Sequence, residues 1–258
     1  MKHSLPTNSL ERALAILELV AYQPGGLANA DISARMQVAT STASYILGRL
    51  ERHGFLHRQP ETGRYEVGTK VVALAHGALR DMGLRRMAEP VLRSLASETN
   101  ASSFIGVLES GFVMIVDKVE KPDVALIDLD LGVRYPVHST ALGKALVAHL
   151  PEGRAHLILD RYRLVKSSPR TIDSRTRILE ELRAVKKQGY STSDGELILG
   201  LRAIAAPIFG PGGEVRAAVC ATGFSVPTDD RRVIEAVKAA AQKISRRLAD
   251  TEYTQDRR

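Results

Sequence analysis

The feature that most constrains this chain is a change of hydrophobic period at Gly54. Before it, apolar residues recur at helical spacing in three successive segments; after it come two short strand-like runs. In the first segment Leu10, Ala13, Leu14, Leu17, Val20 and Ala21 are set three and four residues apart, which predicts one buried face of a helix over Ser9 to Ala21. Asn8 or Ser9 can cap it, with Glu11 in the first turn. Tyr22-Gln23-Pro24-Gly25-Gly26 then breaks the helix. A short second helix is expected over Asn29 to Met36 with Ile32 and Met36 inward, followed by a tight connection at Gln37-Val38-Ala39. A third runs from Thr40 or Ser41 to His53, with Ala43, Ile46, Leu47 and Leu50 inward and Gly54 placed to end it. Phe55 to Arg58 and Arg64 to Val67 read as strands around the turn-forming Gln59-Pro60-Glu61-Thr62-Gly63.

Three helices followed by a hairpin, in that order, is the plan of a winged helix-turn-helix. Residues 69 to 82 predict a further, linking helix, and the Met82-Gly83 step divides the chain into residues 1–83 and 84–258. The second part alternates helices and strands. Residues 84 to 99 read as helix, Ser103 to Leu108 and Phe112 to Val119 as a hairpin around Glu109-Ser110-Gly111, and Val124 to Asp128 as a strand. Ser139 to Leu150 reads as helix, Pro151 as a first-turn residue of another, and Ser174 to Gln188 as a third that Gly189 closes. Ala203 to Phe209 and Val215 to Ala221 flank Gly210-Pro211-Gly212-Gly213, and a last helix is expected from Asp229 to Ala249. Hairpin connections imply a mainly antiparallel sheet with helices packed on it, so the fold class is α+β.

Composition excludes more than it assigns. There is no run of about 18 apolar residues that could span a bilayer, and Met1 to Pro6 lacks an apolar signal core, so a cytoplasmic protein with no membrane partner is expected. A single cysteine, Cys220, excludes an intramolecular disulfide and a thiolate zinc cluster; it reads as a small buried hydrophobe rather than a sensor thiol. The net charge of +7 suits a polyanionic partner, but residues 1–83 hold nine Lys/Arg against seven Asp/Glu, a net of +2. A reading as a DNA-binding protein therefore rests on pattern, and a nonspecific DNA-coating protein is disfavoured. The close histidine pair, His53 and His57, falls across Gly54 where the helix should end. No nucleophile elbow, phosphate loop or dinucleotide fingerprint is present, so no catalytic residue, metal or cofactor is expected.

A helix that reads DNA needs small or polar side chains in its first turns and cations for phosphates. Thr40, Ser41, Thr42, Ser44 and Tyr45 fill the early positions, Arg49 and Arg52 follow, and Arg58 and Arg64 sit on the hairpin. Taken alone, such a helix is more often a solvated amphipathic surface, since polar outer faces are the rule; the ordered set of three helices and a wing shifts the reading to DNA.

On these residues the chain resembles the IclR-type regulators. Ser9-Leu10-Glu11-Arg12-Ala13-Leu14 looks like that family's opening helix, which adds Arg12 to the DNA candidates. Ser41-Thr42 with Leu47-Gly48-Arg49-Leu50-Glu51 resembles its recognition helix, and Gly63 to Gly68 its wing exit. Thr40 and Tyr45 stand where members often carry a cation, which implies weaker phosphate anchoring or a changed base preference.

His138-Ser139-Thr140-Ala141-Leu142-Gly143-Lys144-Ala145 opens a helix. Its free amides and small residues suit an anionic or carbonyl group, and suit equally a tight strand-to-helix turn. Gly189 to Gly210 follows the family signature most closely. The resemblance implies a GAF- or profilin-like effector domain whose pocket is lined by Ala141, Leu142, Gly143, Ser193, Asp194, Glu196, Leu201, Ala203, Cys220 and Thr222. Ser193 replaces an acid, and Ala203 and Cys220 are less polar than in some members, which implies a ligand larger or less polar than the smallest keto acids. The expectation is a repressor or activator that responds to a small carboxylate and binds a partly palindromic operator. It is expected to act as a homodimer or dimer of dimers, associating through the 69–82 helix. The alternative is a small-molecule-binding module or enzyme carrying a helix-turn-helix-like interaction domain.

Overall fold

The computed structural model describes residues 8–81, 84–121 and 129–255, and the chain divides into two compact units, Met1–Met82 and Gly83–Arg258. The strand expected at Val124 to Asp128 lies outside the described residues.

The first unit holds α1 (Ser9–Ala21), α2 (Asn29–Met36), α3 (Thr40–Arg52), β1 (Leu56–Arg58), β2 (Tyr65–Val67) and α4 (Thr69–Asp81). Asn8 caps α1, its side chain accepting from the Glu11 amide at 2.9 Å. The turn between α2 and α3 is made by Gln37 in the left-handed region, with Ser33 Oγ donating to Val38 O at 2.7 Å. β1 and β2 form an antiparallel hairpin, and Leu27 adds a backbone bridge to Tyr65 that ties the loop after α1 to the wing. Gly26 allows this: its φ is +67°, and a Cβ would run into the Tyr65 carbonyl. The core is Ile16, Val20, Leu27, Ile32, Met36, Ile46, Leu47, Leu50, Leu56 and Tyr65. The buried face of α1 is therefore turned from the expected one. Ile16 is fully enclosed while Leu10 and Leu14 are 70% and 53% exposed, because the bundle meets α1 along Ile16 and Val20.

The second unit is a six-stranded antiparallel sheet ordered β5-β4-β3-β8-β7-β6. Its strands are β3 (Ser102–Glu109), β4 (Phe112–Val119), β5 (Arg134–Pro136), β6 (Ser191–Asp194), β7 (Arg202–Phe209) and β8 (Val215–Gly223). The helices α5 (Leu84–Thr99) and α9 (Arg231–Gln255) pack against each other and the sheet. Against the sheet also packs α6 (Ala141–Ala148), which is buried along its whole length; α7 (Glu152–Arg161) and α8 (Arg175–Gln188) share its hydrophobic cluster. Apart from Lys144 every residue of this helix, ALGKALVA, is apolar, and a helix with apolar residues on all sides has to be enclosed in this way.

Several expected bounds shift. The helix read over Ser139 to Leu150 is only α6, since Thr140 caps it and accepts from the Gly143 amide at 3.1 Å. Pro151 stands before α7 as its cap, and α9 continues to Gln255. The edge strands β5 and β6 were not foreseen: Ser-Thr-Ser-Asp lacks the β-branched apolar run that marks a strand, and register on β7 makes it one.

Candidate functional site

The candidate nucleic-acid interface is the outer face of α3. Burial of Ala43, Ile46, Leu47 and Leu50 turns Ser41, Ser44, Tyr45, Gly48, Arg49 and Arg52 outward, all exposed. Thr40 and Arg58 are exposed as well, whereas Arg12 and Thr42 are half-buried. Thr40 Oγ1 lies 3.4 Å from Ser33 Oγ, and Ser44 Oγ accepts from Asn29 Nδ2 at 2.6 Å, so α2 holds the first turns of α3. Arg64 is placed differently from expectation. It turns back onto its own unit, donating to Gly26 O at 3.2 Å and lying 3.9 Å from Asp31, so it braces the wing. Arg58 stays near the wing surface, its Nε on Gly63 O at 3.3 Å. Gly48 was not singled out as an interface residue, yet it lies at the middle of the outward face and a methyl there would meet nothing within 4 Å.

The second site is a cavity between the sheet and α6. This slot has an unfilled volume of about 470 Å³, counted with its mouth. Seven expected residues line it: Ala141, Leu142, Ser193, Leu201, Ala203, Cys220 and Thr222. Phe104, Val113, Ile115, Leu129, Tyr135, Ser139, Thr140 and Leu197 complete the wall, and none of the fifteen carries a formal charge.

Three expected residues do not line the slot. Gly143 is buried against the Val137 backbone, which a Cβ would strike, so it serves the close approach of α6 to the preceding segment. Asp194 is engaged by Arg170 at 2.6 Å and Arg202 at 3.1 Å on a half-exposed surface. Glu196 turns to Lys144, whose buried ammonium donates to Glu196 Oε1 at 2.7 Å and to Glu181 Oε1 at 3.0 Å. Burial raises the Glu196 carboxyl above its ordinary range and Lys144 opposes that. The pair ties the loop carrying Leu197 and Leu201 to α6. Thr171 and Ser168 hydroxyls fasten the same loop at the Glu196 and Gly195 carbonyls.

Most hydroxyl protons of the slot are used. Ser193 donates to Ser139 O at 3.2 Å, Thr222 to Arg202 O at 2.9 Å and Thr140 to Pro136 O at 3.0 Å. Ser139 Oγ is the exception: it is fully buried, lines the slot and has no hydrogen-bond partner. Beside it the first-turn amides of Ala141 and Leu142 have no acceptor within α6. Burial pushes the Cys220 thiol up to about 12, so it stays protonated. Ser139 and Thr140 belong to the His138 to Ala145 segment, and the helix start that marks Ala141 marks them as well. Phe104, Val113 and Ile115 carry no local signal, since ordinary strand residues face a cavity only once the strands pair.

Comparisons with known proteins agree with this architecture. A family model described as IclR helix-turn-helix domain matches residues 9–60, and one described as Bacterial transcriptional regulator IclR C-terminal matches residues 76–246. The chain is similar to HTH-type transcriptional regulator XynR of Escherichia coli (strain K12), with 31% identity over 93% of this chain and 96% of that protein. It is similar also to Transcriptional repressor IclR of the same organism, with 30% identity over 86% of this chain and 82% of that protein. A crystal structure of an IclR homolog complexed with 4-hydroxybenzoate, from Microbacterium hydrocarbonoxydans, superposes with a TM-score of 0.82. It shares 25% identity and covers 93% of this chain and 99% of that one.

Proposed function

This chain belongs to the IclR family of bacterial transcriptional regulators, and on that premise we propose that it controls a metabolic or catabolic operon in response to a small carboxylate with an apolar body. It is a DNA-binding regulator and not an enzyme. The observation that carries the ligand class is the unpartnered buried hydroxyl, Ser139 Oγ, at the start of a buried helix in a slot whose lining carries no formal charge. A helix N-terminus carries roughly half a positive charge and favours an anionic head, while Phe104, Ile115 and Leu201 suit a flat apolar remainder. The 4-hydroxybenzoate held by a homologue is of this chemistry, a carboxylate on a flat ring. Calorimetric titration with aliphatic and aromatic carboxylates is expected to find its tightest ligand among acids of more than three carbons; binding of two- and three-carbon acids alone would sink the reading.

On the DNA side, α3 reads a partly palindromic operator and the protein acts as a homodimer or dimer of dimers in the cytoplasm. Exposed Leu10 and Leu14, one turn apart on the same side of α1, support association through the first unit, since together they offer an apolar strip rather than a single exposed side chain. Among the described residues no helix is long and apolar enough to cross a membrane. In an operator shift assay an Arg49→Ala, Tyr45→Ala double variant should bind far more weakly than wild type; equal binding contradicts this docking.

A further inference from the structure

Tyr45 and Arg49 stand one turn apart on the outer face of α3, and the tyrosine is 62% exposed. An isolated surface arginine samples many rotamers and loses that freedom on binding. Here Arg49 is already held. Its Nε and Nη2 both donate to the Tyr45 hydroxyl, at 3.3 and 3.2 Å, and its guanidinium carbon lies 5.4 Å from the ring centroid. Both bonds use the same side of the guanidinium. They leave Nη1 and the second Nη2 hydrogen as two parallel donors at the far end. Two parallel donors match O6 and N7 of guanine in the major groove. Adenine offers an acceptor only at N7 and sets a donor where the second prong would land. Around the pair, Ser41, Ser44 and Gly48 keep that side of the helix low, and Gly48 has open space where a side chain would stand.

We infer that Tyr45 and Arg49 form one base-reading unit, in which Arg49 takes a guanine edge end-on and Tyr45 is the positioning residue that holds its fork. The inference rests on the reading of α3 as the DNA-reading helix. It also gives the exposed tyrosine a role: the phenol fixes the arginine one turn further along instead of supplying a charge of its own.

Selection from a randomised duplex library with the full-length protein tests it. Wild type is expected to recover half-sites with one dominant guanine. Arg49→Ala should lose the guanine preference at that position by roughly ten-fold or more, with the other positions retained. Tyr45→Phe keeps the ring and removes the accepting oxygen. It should weaken the preference at the same position by a smaller factor and leave the thermal midpoint unchanged, since both side chains are exposed. Base preferences unchanged in both variants, or altered at different positions in the two, overturn the pair. A wild-type selection that yields no common sequence overturns the operator reading and the pair with it.

Discussion

In residues 8–81 the candidate interface is one face of one helix, with Ser41, Ser44, Tyr45, Arg49 and Arg52 drawn from α3 alone. The slot in residues 84–255 draws instead on β3, β4, β5, the start of α6, β6, the loop after it, β7 and β8. The difference is physical. The first site is made of side chains that folding leaves over, so they can change without disturbing the core. The second is a gap in the core itself, so its shape and the stability of its unit are coupled.

Breaking that coupling at its strongest point gives the largest effect. Lys144→Met leaves the buried Glu196 carboxylate unpaired and should cost about 3–5 kcal/mol, read by denaturant unfolding. Adding Glu196→Leu should recover most of it, whereas Arg49→Ala should stay within about 0.5 kcal/mol of wild type. A Lys144→Met protein as stable as Arg49→Ala would break the contrast.

Next in order is a pH effect in the second unit. His138 and His149 are both held below the ordinary histidine range, chiefly by burial, and each bonds a backbone carbonyl. Unfolded, each takes up a proton near 6.5; folded, only at lower pH. The unfolded state thus binds more protons in that window, and stability should fall as pH drops below 6.5. Glu196, with its folded value raised from 4.5, works in the opposite sense, favouring the fold less as pH rises through its own window. Comparing wild type with His138→Gln over pH isolates the share of that histidine; a variant with an equally steep fall would exclude His138 and leave His149 as the source.

A smaller effect separates ligand from fold. Ser139→Ala removes an unsatisfied buried hydroxyl, so the free protein should melt at the same temperature or higher, while carboxylate affinity falls roughly three- to ten-fold by calorimetry. Loss of stability together with affinity would place Ser139 in the core rather than the site. The smallest change sharpens the α3 side. Gly48→Ala fits open space and should stabilise the helix by up to about 1 kcal/mol while weakening operator binding, because the added methyl stands on the face that meets DNA. Equal or tighter binding would remove Gly48 from the interface.

The helix bounds of α2, α3, α5 and α8 were legible to within a residue, because hydrophobic period acts inside one segment and, for α3 and α8, so does the Gly that follows, Gly54 or Gly189. The facing of α1 was not. Leu10 and Leu14 fit a helical stripe as well as Ile16 and Val20 do, and only the position of α3 and the wing decides between them. The same limit separated slot residues from their neighbours. Ser193 and Asp194 adjoin in β6, and strand alternation turns one to the cavity and the other to Arg170 and Arg202. Arg64 read as a free wing cation until Gly26 O and Asp31 claimed it.

The sequence by itself determined what depends on neighbours along the chain. That comprises three helices and a wing in order, the outward row of α3, a hairpin-built sheet and the signature-like stretch around Glu196. Tertiary structure alone decided what depends on neighbours across it. It sent Glu196 to Lys144 instead of the slot, gave the strands β3 and β4 a share in the wall, and left Ser139 Oγ without a partner. Periodicity reports which way a side chain points from its own backbone; what stands opposite is set by the packing of elements far apart in sequence.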